Sequence, residues 1–125
     1  MKQSSITLDK ILNFIVEHIK YDDREKIKAY IQRHIEYGTF DYAVDESNNI
    51  IACVRFNVSG DGLTFEIFDF SVDKTWRRKG VGRDLILRGL KRFPSVKYLR
   101  FQRVIRGDDR YKSLPIDKII KRKIL

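Results

Sequence analysis

The feature that most constrains this fold is an unbroken succession of strand, basic turn, helix and strand. Residues 63–72 are dense in aromatic side chains and predict a strand, and residues 81–93 repeat apolar side chains at helical spacing until Pro94. Residues 96–104 predict another strand. A helix that links two strands in this way forms a right-handed crossover, which leaves the strands parallel and adjacent. The sequence therefore predicts an α/β fold with a basic turn between a strand and a helix.

The first half of the chain predicts two amphipathic helices followed by an antiparallel meander. Apolar residues recur at helical spacing over 6–19, and again from Asp22 or Asp23 to Gly38. Three strands follow at 39–44, 50–58 and 63–72, separated by turn residues. We expect these three strands to pair in chain order.

Length and composition indicate one folded domain over residues 1–125. Of the 125 residues, 42% are hydrophobic, which is enough for a core. The longest apolar run, 50–54, is far shorter than the roughly 20 residues that cross a bilayer, and the N-terminus lacks the apolar stretch of a secretion signal. We therefore expect a cytoplasmic protein with no membrane partner.

Thiol and metal chemistry are not indicated. The single cysteine, Cys53, lies in a predicted strand and is expected to be a small buried residue. His18 and His34 provide no metal-ligand spacing, so no metal site is predicted. His34 falls on the apolar stripe of the second helix, which favours a core role over a catalytic one, and His18 is expected at the surface.

Charge is divided unevenly along the chain. Residues 1–73 hold 8 Lys and Arg against 13 Asp and Glu, whereas residues 74–125 hold 18 against 4. A strongly basic second part attracts phosphates, whether of a nucleotide cofactor, a nucleic acid or an anionic membrane surface. Charge alone does not choose among these partners.

The turn RRKGVG, residues 77–82, has the composition of a phosphate-binding loop. Its glycines let backbone amides approach a ligand, and the start of the following helix adds unpaired N–H groups and a partial positive charge. It is neither a Walker loop nor the dinucleotide pattern GxGxxG. The alternative is a basic surface turn that only caps a helix.

The string FEIFDFSVDKTWRRKGVGRDLILRGL, residues 65–90, resembles the GNAT N-acetyltransferase superfamily. Its acetyl-CoA signature, Gln/Arg-x-x-Gly-x-Gly/Ala, is matched by Arg77, Gly80 and Gly82. The resemblance covers residues 39–104 and implies a GNAT-like α/β fold. Such a fold has N-terminal helices, an antiparallel three-strand meander, a crossover helix and a parallel fourth strand, here with a shortened C-terminal part.

The resemblance also implies an N-acetyltransferase that uses acetyl-CoA. In the family, loop amides hold the CoA pyrophosphate, and backbone groups of the preceding strand pair with the pantetheine arm. The residues implied for the cofactor are Phe70, Ser71, Val72, Arg77, Arg78, Lys79, Gly80, Val81, Gly82 and Arg83. Trp76 either packs under the loop or stacks on the adenine.

Direct acyl transfer to an amine needs a base that takes a proton from the amine and an acid for the leaving thiolate. The resemblance points to Glu66 as the base, because some relatives place a glutamate six residues before the position of Val72. A solvent-facing structural carboxylate is the alternative for Glu66, and Asp69 is the second candidate base. The family often uses a tyrosine on a helix after the fourth strand as the acid, and Tyr111 is the nearby choice.

The chain departs from the family at both ends. No clear strand precedes the first helix, and after Val104 the sequence predicts an irregular segment at 106–114 and a short basic helix at 115–124. The length of this helix favours packing on the protein's own core, with a helix on a membrane surface as the alternative. The family has a helix and two strands in that region. We therefore expect an abbreviated acceptor pocket, or one completed by a second subunit in a homodimer.

Two functions remain open from the sequence. One is acetyl transfer to a primary amine of a protein or small molecule. The alternative is a non-catalytic GNAT-like module that binds nucleic acid or an acidic protein. Its binding residues would be Arg100, Arg103, Arg106, Arg110, Lys112, Lys118, Lys121, Arg122 and Lys123.

Overall fold

Over the residues that the structure describes, one sheet and three α-helices form the fold. The computed structural model describes the backbone of residues 5–19, 23–105 and 108–115, and the side chains of residues 7–19 and 23–101. The strands are β1 (Phe40–Val44), β2 (Ile50–Val58), β3 (Thr64–Val72), β4 (Tyr98–Ile105) and β5 (Asp108–Pro115). The helices are α1 (Ser5–Ile19), α2 (Arg24–Tyr37) and α3 (Val81–Arg92), with a single 3-10 turn at Lys74–Trp76 before α3.

The sheet has the strand order β1-β2-β3-β4-β5. β1, β2 and β3 form an antiparallel meander, and β3 and β4 are parallel neighbours connected through α3. The predicted meander, crossover and parallel fourth strand are therefore confirmed.

Both ends of α2 are capped as its sequence predicts. The Asp23 carboxylate accepts the backbone N–H of Lys26 at 3.1 Å. Gly38 ends the helix in the left-handed region with φ 71°, a conformation that suits glycine. These two residues set the length of α2 and lead the chain directly into β1.

The side of the sheet that packs against α3 is apolar. Leu85 and Ile86 of α3 are fully buried against Phe56 and Phe65 of the sheet. A Cβ at Gly89 would lie 2.9 Å from the Phe65 ring, so only glycine lets α3 pack this close to the sheet. The helix that follows the basic turn is thus fixed firmly on one face.

The opposite face carries α1 and α2. Ile11 and Ile15 of α1, Ile31 of α2 and Cys53 of β2 are buried together there. This face also holds the buried ion pair of Arg55 and Asp69, beside Tyr30 of α2. The face under α1 and α2 therefore combines apolar residues with a buried charge pair.

A β-bulge in β3 changes which residues face each side. Arg55 pairs with Asp69 and Phe56 with Ile67, so Phe68 is the extra residue. Before the bulge, Phe65 and Ile67 pack in the core under α3. After the bulge, Phe70 packs against that same core. The alternation of faces along β3 is therefore interrupted at Phe68.

The segment after β4 differs from its prediction. Residues 106–114 were predicted irregular, but β5 runs antiparallel to β4 over Asp108–Pro115. Its polar sequence lacks the apolar alternation by which strands are recognised, and an edge strand does not need that alternation. Pro115, the predicted first residue of the helix, lies in β5, and the remainder of the predicted helix, 116–124, lies outside the described residues.

Candidate active site

A cleft of about 700 Å³ opens between the end of β3, the basic turn and the start of α3. Its lining is Phe70, Ser71, Val72, Trp76, Arg77, Arg78, Gly80, Val81, Gly82 and Arg83. These are the residues predicted for the cofactor with two differences: Lys79 is not in the lining, and Trp76 is. The structure therefore brings the predicted residues together around one cavity.

The N-terminus of α3 receives no capping hydrogen bond from a side chain of its N-cap residue. Gly80 caps the helix in the left-handed region, φ 84°, and makes no side-chain capping hydrogen bond. Its carbonyl accepts the N–H of Asp84 at 3.0 Å, which begins the helix. The N–H groups of the first helical turn have no partner within the helix, and the helix dipole makes this end attractive to an anion.

Gly82 makes the close contact between α3 and β3. A Cβ at this position would lie 2.6 Å from Cζ of Phe70 and 3.2 Å from Cγ2 of Val72. From the sequence alone, we expect a bulky residue at Gly82 to block a ligand and leave the fold intact. The structure contradicts the second part of that expectation, because the new side chain would also collide with β3.

Four exposed cations surround the cleft: Arg77, Arg78, Lys79 and Arg83. Nε of Arg77 donates to the carbonyl oxygen of Val72 at 3.0 Å, which ties the turn to the end of β3. Lys79 Nζ lies 5.1 Å from the centre of the Trp76 ring, a cation–π contact. Trp76 is half-buried in the wall of the cleft. This position is compatible both with packing under the loop and with stacking on an adenine.

The strands β3 and β4 separate beside this cleft. Their parallel pairing covers Thr64–Ile67 and Tyr98–Phe101, although β3 continues to Val72 and β4 to Ile105. The edge of β3 that runs from the bulge to Val72 is therefore not paired with β4. Apart from the Val72 carbonyl, which accepts Arg77, the backbone groups at this edge have no partner in β4, as the resemblance implies for a strand that pairs with a pantetheine arm.

Glu66 lies on the last part of β3 that still pairs with β4. It faces away from the core residues Phe65 and Ile67, and its Oε2 lies 3.3 Å from Nη1 of Arg100. The Glu66 side chain is 27% exposed and so accessible to solvent, although it is not among the residues that line the cleft. This position suits a proton acceptor.

Asp69, the second candidate base, is in a different environment. Its side chain is 5% exposed and forms an ion pair with Nε of Arg55. The Arg55 guanidinium also lies over the rings of Tyr30 and Phe68, at 5.6 and 5.3 Å from their centres. A buried carboxylate held by a stacked arginine is poorly placed to meet a substrate, so the geometry favours Glu66.

Comparison with known proteins identifies the family. Residues 8–108 match the acetyltransferase (GNAT) family. The chain belongs to the GNAT acetyltransferase family. The predictions of this family, of an N-acetyltransferase and of acetyl-CoA as the cofactor are thereby confirmed at the level of the family. A comparison with curated protein sequences gives no significant match.

Solved structures share the fold. An acetyltransferase of the GNAT family from Staphylococcus aureus Mu50 is 15% identical, with a TM-score of 0.66 over 99% of this chain and 76% of the other. Ard1 from Thermoplasma volcanium is 16% identical, with a TM-score of 0.63 over 98% and 78% of the two chains. An aminoglycoside 6'-N-acetyltransferase complexed with coenzyme A is 13% identical, with a TM-score of 0.61, over 78% of this chain and only 56% of that enzyme. At these identities the similarity supports the GNAT fold alone.

The GNAT cleft of this chain has features that suit coenzyme A. The N-terminus of α3, which receives no side-chain capping hydrogen bond from Gly80, offers N–H groups to a pyrophosphate. Arg78 and Arg83 add positive charge at the same end of the cleft. The cofactor roles of individual residues stay predictions.

Tyr111 is not on a helix. Its backbone lies in β5, opposite Gln102 of β4, and its side chain lies outside the described residues. The family places its acid on a helix after the fourth strand, so the premise that selected Tyr111 is wrong. The role of Tyr111 itself stays a prediction.

His34 is half-buried and hydrogen-bonded, as its apolar stripe suggests. Its Nδ1 lies 2.8 Å from Oγ1 of Thr39, and its ring meets the edge of Phe68. Burial, followed by the positive charge of Arg55, lowers the pKa of His34 below its usual value. This environment is that of a satisfied structural histidine.

His18 has a role that the sequence does not reveal. It was expected at the surface, but its side chain is 18% exposed and its Nε2 lies 3.3 Å from Oδ2 of Asp73. Asp73 also accepts the N–H and hydroxyl of Thr75, and these hydrogen bonds lower its pKa. The contact joins the end of α1 to the segment before the basic turn. It spans 55 positions of the chain, so no local pattern could have indicated it.

Cys53 is enclosed by the core under α1 and α2. It is fully buried, and desolvation raises the pKa of its thiol to about 12. We expect the folded protein not to react with a thiol reagent such as DTNB at mildly alkaline pH. The Cys53 thiol stays protonated at that pH, and the reagent cannot reach it in the core. Complete reaction should follow unfolding in guanidinium. Rapid stoichiometric labelling of the folded protein would contradict this burial.

The described residues contain neither a cluster of metal-binding side chains nor a helix that could span a membrane. There, no group of three or more His, Cys, Asp or Glu side chains is arranged to hold a metal ion. Over the same residues, no helix combines the length and apolar character needed to cross a membrane. Of the basic residues considered for nucleic acid, only Arg100 has a described side chain.

Proposed function

We propose that this chain transfers the acetyl group of acetyl-CoA to a primary amine of a protein or small molecule. The observation that carries the proposal is the position of Glu66, an accessible carboxylate where β3 and β4 separate beside the cleft. The aminoglycoside 6'-N-acetyltransferase among the structural neighbours shares only the fold with this chain, and the amine acceptor is proposed by that analogy.

The cleft residues would hold the cofactor at both of its ends. The first-turn amides of α3 and the guanidinium groups of Arg78 and Arg83 would bind the phosphates. The unpaired edge of β3 from Phe70 to Val72 would hydrogen-bond the extended arm. Acetyl-CoA supplies the activated acetyl group as a thioester.

Glu66 would prepare the acceptor. An amine attacks a carbonyl carbon only through a free electron pair, so the ammonium form must first lose a proton. The Glu66 carboxylate would accept that proton as the amine enters between the strands. Because its side chain is partly exposed, Glu66 can return the proton to water afterwards.

Cofactor binding gives the direct test of the proposal. A ligand that binds only the folded protein stabilises it by about 2.7 kcal/mol at one hundred times its dissociation constant. We expect acetyl-CoA to raise the melting midpoint by several degrees in a thermal unfolding experiment. Adenosine, which lacks the phosphates, serves as the control and should have little effect.

The two functions suggested by the sequence lead to different results. No shift with millimolar acetyl-CoA, and none with pyrophosphate, would remove the cofactor and the proposed function together. A clear shift without acetyl transfer to a panel of amines would favour a non-catalytic module. Amine-dependent release of free CoA thiol supports the enzyme.

A further inference from the structure

The two carboxylates near the cleft are each paired with an arginine, and the two pairs differ. Asp69 and Arg55 are 5% and 14% exposed, and the rings around Arg55 close that pair. Glu66 and Arg100 are 27% and 35% exposed. Only the second pair can meet a substrate and respond to its presence.

The Glu66–Arg100 contact is set by the sheet itself. Glu66 and Arg100 are direct partners in the parallel register of β3 and β4, so both side chains project from the same face. They stand one residue before the last paired position, Ile67 with Phe101, after which the strands separate. The ion pair therefore lies at the mouth of the opening, on backbone that pairing keeps rigid.

The contact engages one particular oxygen of the carboxylate. Nη1 of Arg100 lies 3.3 Å from Oε2 of Glu66. A carboxylate with one oxygen held by a guanidinium keeps its plane and its rotamer, and the second oxygen then has a defined direction. Such control of direction matters because proton transfer needs hydrogen-bond geometry between donor and acceptor.

We propose that Arg100 is a positioning residue that holds Oε2 of Glu66 and so directs Oε1 toward the acceptor amine. This inference rests on the proposed function, in which Glu66 is the base. In the proton-transfer step, an N–H bond of the acceptor ammonium breaks and its electron pair stays on nitrogen. The proton forms an O–H bond at Oε1, and its later release to water restores the carboxylate.

The test compares Arg100→Gln and Arg100→Lys with the unaltered protein. Turnover is measured with acetyl-CoA and three probe amines: a lysine peptide, spermidine and an aminoglycoside. We expect Arg100→Gln to lower kcat by about three- to tenfold, the equivalent of one partly exposed charge-assisted hydrogen bond. Its KM for acetyl-CoA should not change, and Arg100→Lys should recover part of the loss.

A double-mutant cycle separates positioning from a general structural effect. In a Glu66→Gln background, Arg100→Gln should have no further effect on kcat, because the residue it acts through is already disabled. Arg92→Gln is the matched control, since Arg92 forms an exposed ion pair with Asp41 away from the cleft. This variant should keep the kcat of the unaltered protein.

Each remaining outcome is decisive. An equal loss from Arg100→Gln in both backgrounds, or no loss in either, overturns the positioning role and leaves the proposed function standing. Binding of acetyl-CoA without turnover of any probe amine overturns the positioning role and favours the non-catalytic module over the proposed acetyl transfer. Absence of acetyl-CoA binding instead overturns the proposed function, and the thermal shift reports this separately.

Discussion

Replacing Glu66 by glutamine is expected to lower kcat for acetyl transfer by about 10²–10⁴-fold, the usual contribution of a positioned general base. Glutamine has nearly the same shape but cannot accept the proton. Because Glu66 faces away from the core under α3, folding should be little affected. Steady-state kinetics with a saturating amine measure the effect, and the thermal shift with acetyl-CoA should remain that of the unaltered protein.

Glu46→Gln provides the control for this substitution. Glu46 is an exposed residue of the turn between β1 and β2, so the same chemical change there should leave kcat unaltered. If Glu66→Gln turns over amine as fast as the unaltered protein, Glu66 is not the base. An ordered water or Asp69 would then have to take the proton.

Replacing Gly82 by valine is expected to abolish the thermal shift with acetyl-CoA and also to destabilise the protein. Its Cβ would lie 2.6 Å from Cζ of Phe70, so the ring must move, and Phe70 lines the cleft. Overpacking of this kind costs about 1–3 kcal/mol. Denaturant unfolding measures the loss of stability, and thermal unfolding with and without acetyl-CoA measures binding.

Gly60→Val is the matched control for Gly82→Val. Gly60 lies in the exposed turn before β3, and a Cβ there would meet no atom within 4 Å. Stability and the acetyl-CoA shift should therefore both change little. Acetyl-CoA binding by Gly82→Val as tight as that of the unaltered protein would show that this close contact is not needed for the cofactor.

Much of the fold can be read from local patterns. Asp23 and Gly38 bound α2 because capping depends on a few neighbouring residues. The crossover from β3 to β4 follows from chirality, which is independent of sequence detail. β5 is missed because its polar residues carry no apolar signal, and its pairing with β4 is a tertiary effect.

The candidate site is predictable only in part, because some of its contacts depend on how the strands pair. The basic turn is contiguous, so its residues come together around the cleft as predicted. The pairs Arg55–Asp69 and Glu66–Arg100 depend on strand register, which the sequence does not specify residue by residue. The register also decides which of the two carboxylates is buried and which is accessible.

The bulge at Phe68 lies where the pairing of β3 with β4 ends. Pairing between β3 and β4 stops at Ile67, the residue before the bulge, and the extra residue bends and twists β3 at that point. Deleting one residue here would favour continued pairing and a closed gap, whatever side chains remained. The extra residue therefore links the opening beside Glu66 to the buried Arg55, because the ring of Phe68 itself lies under the Arg55 guanidinium.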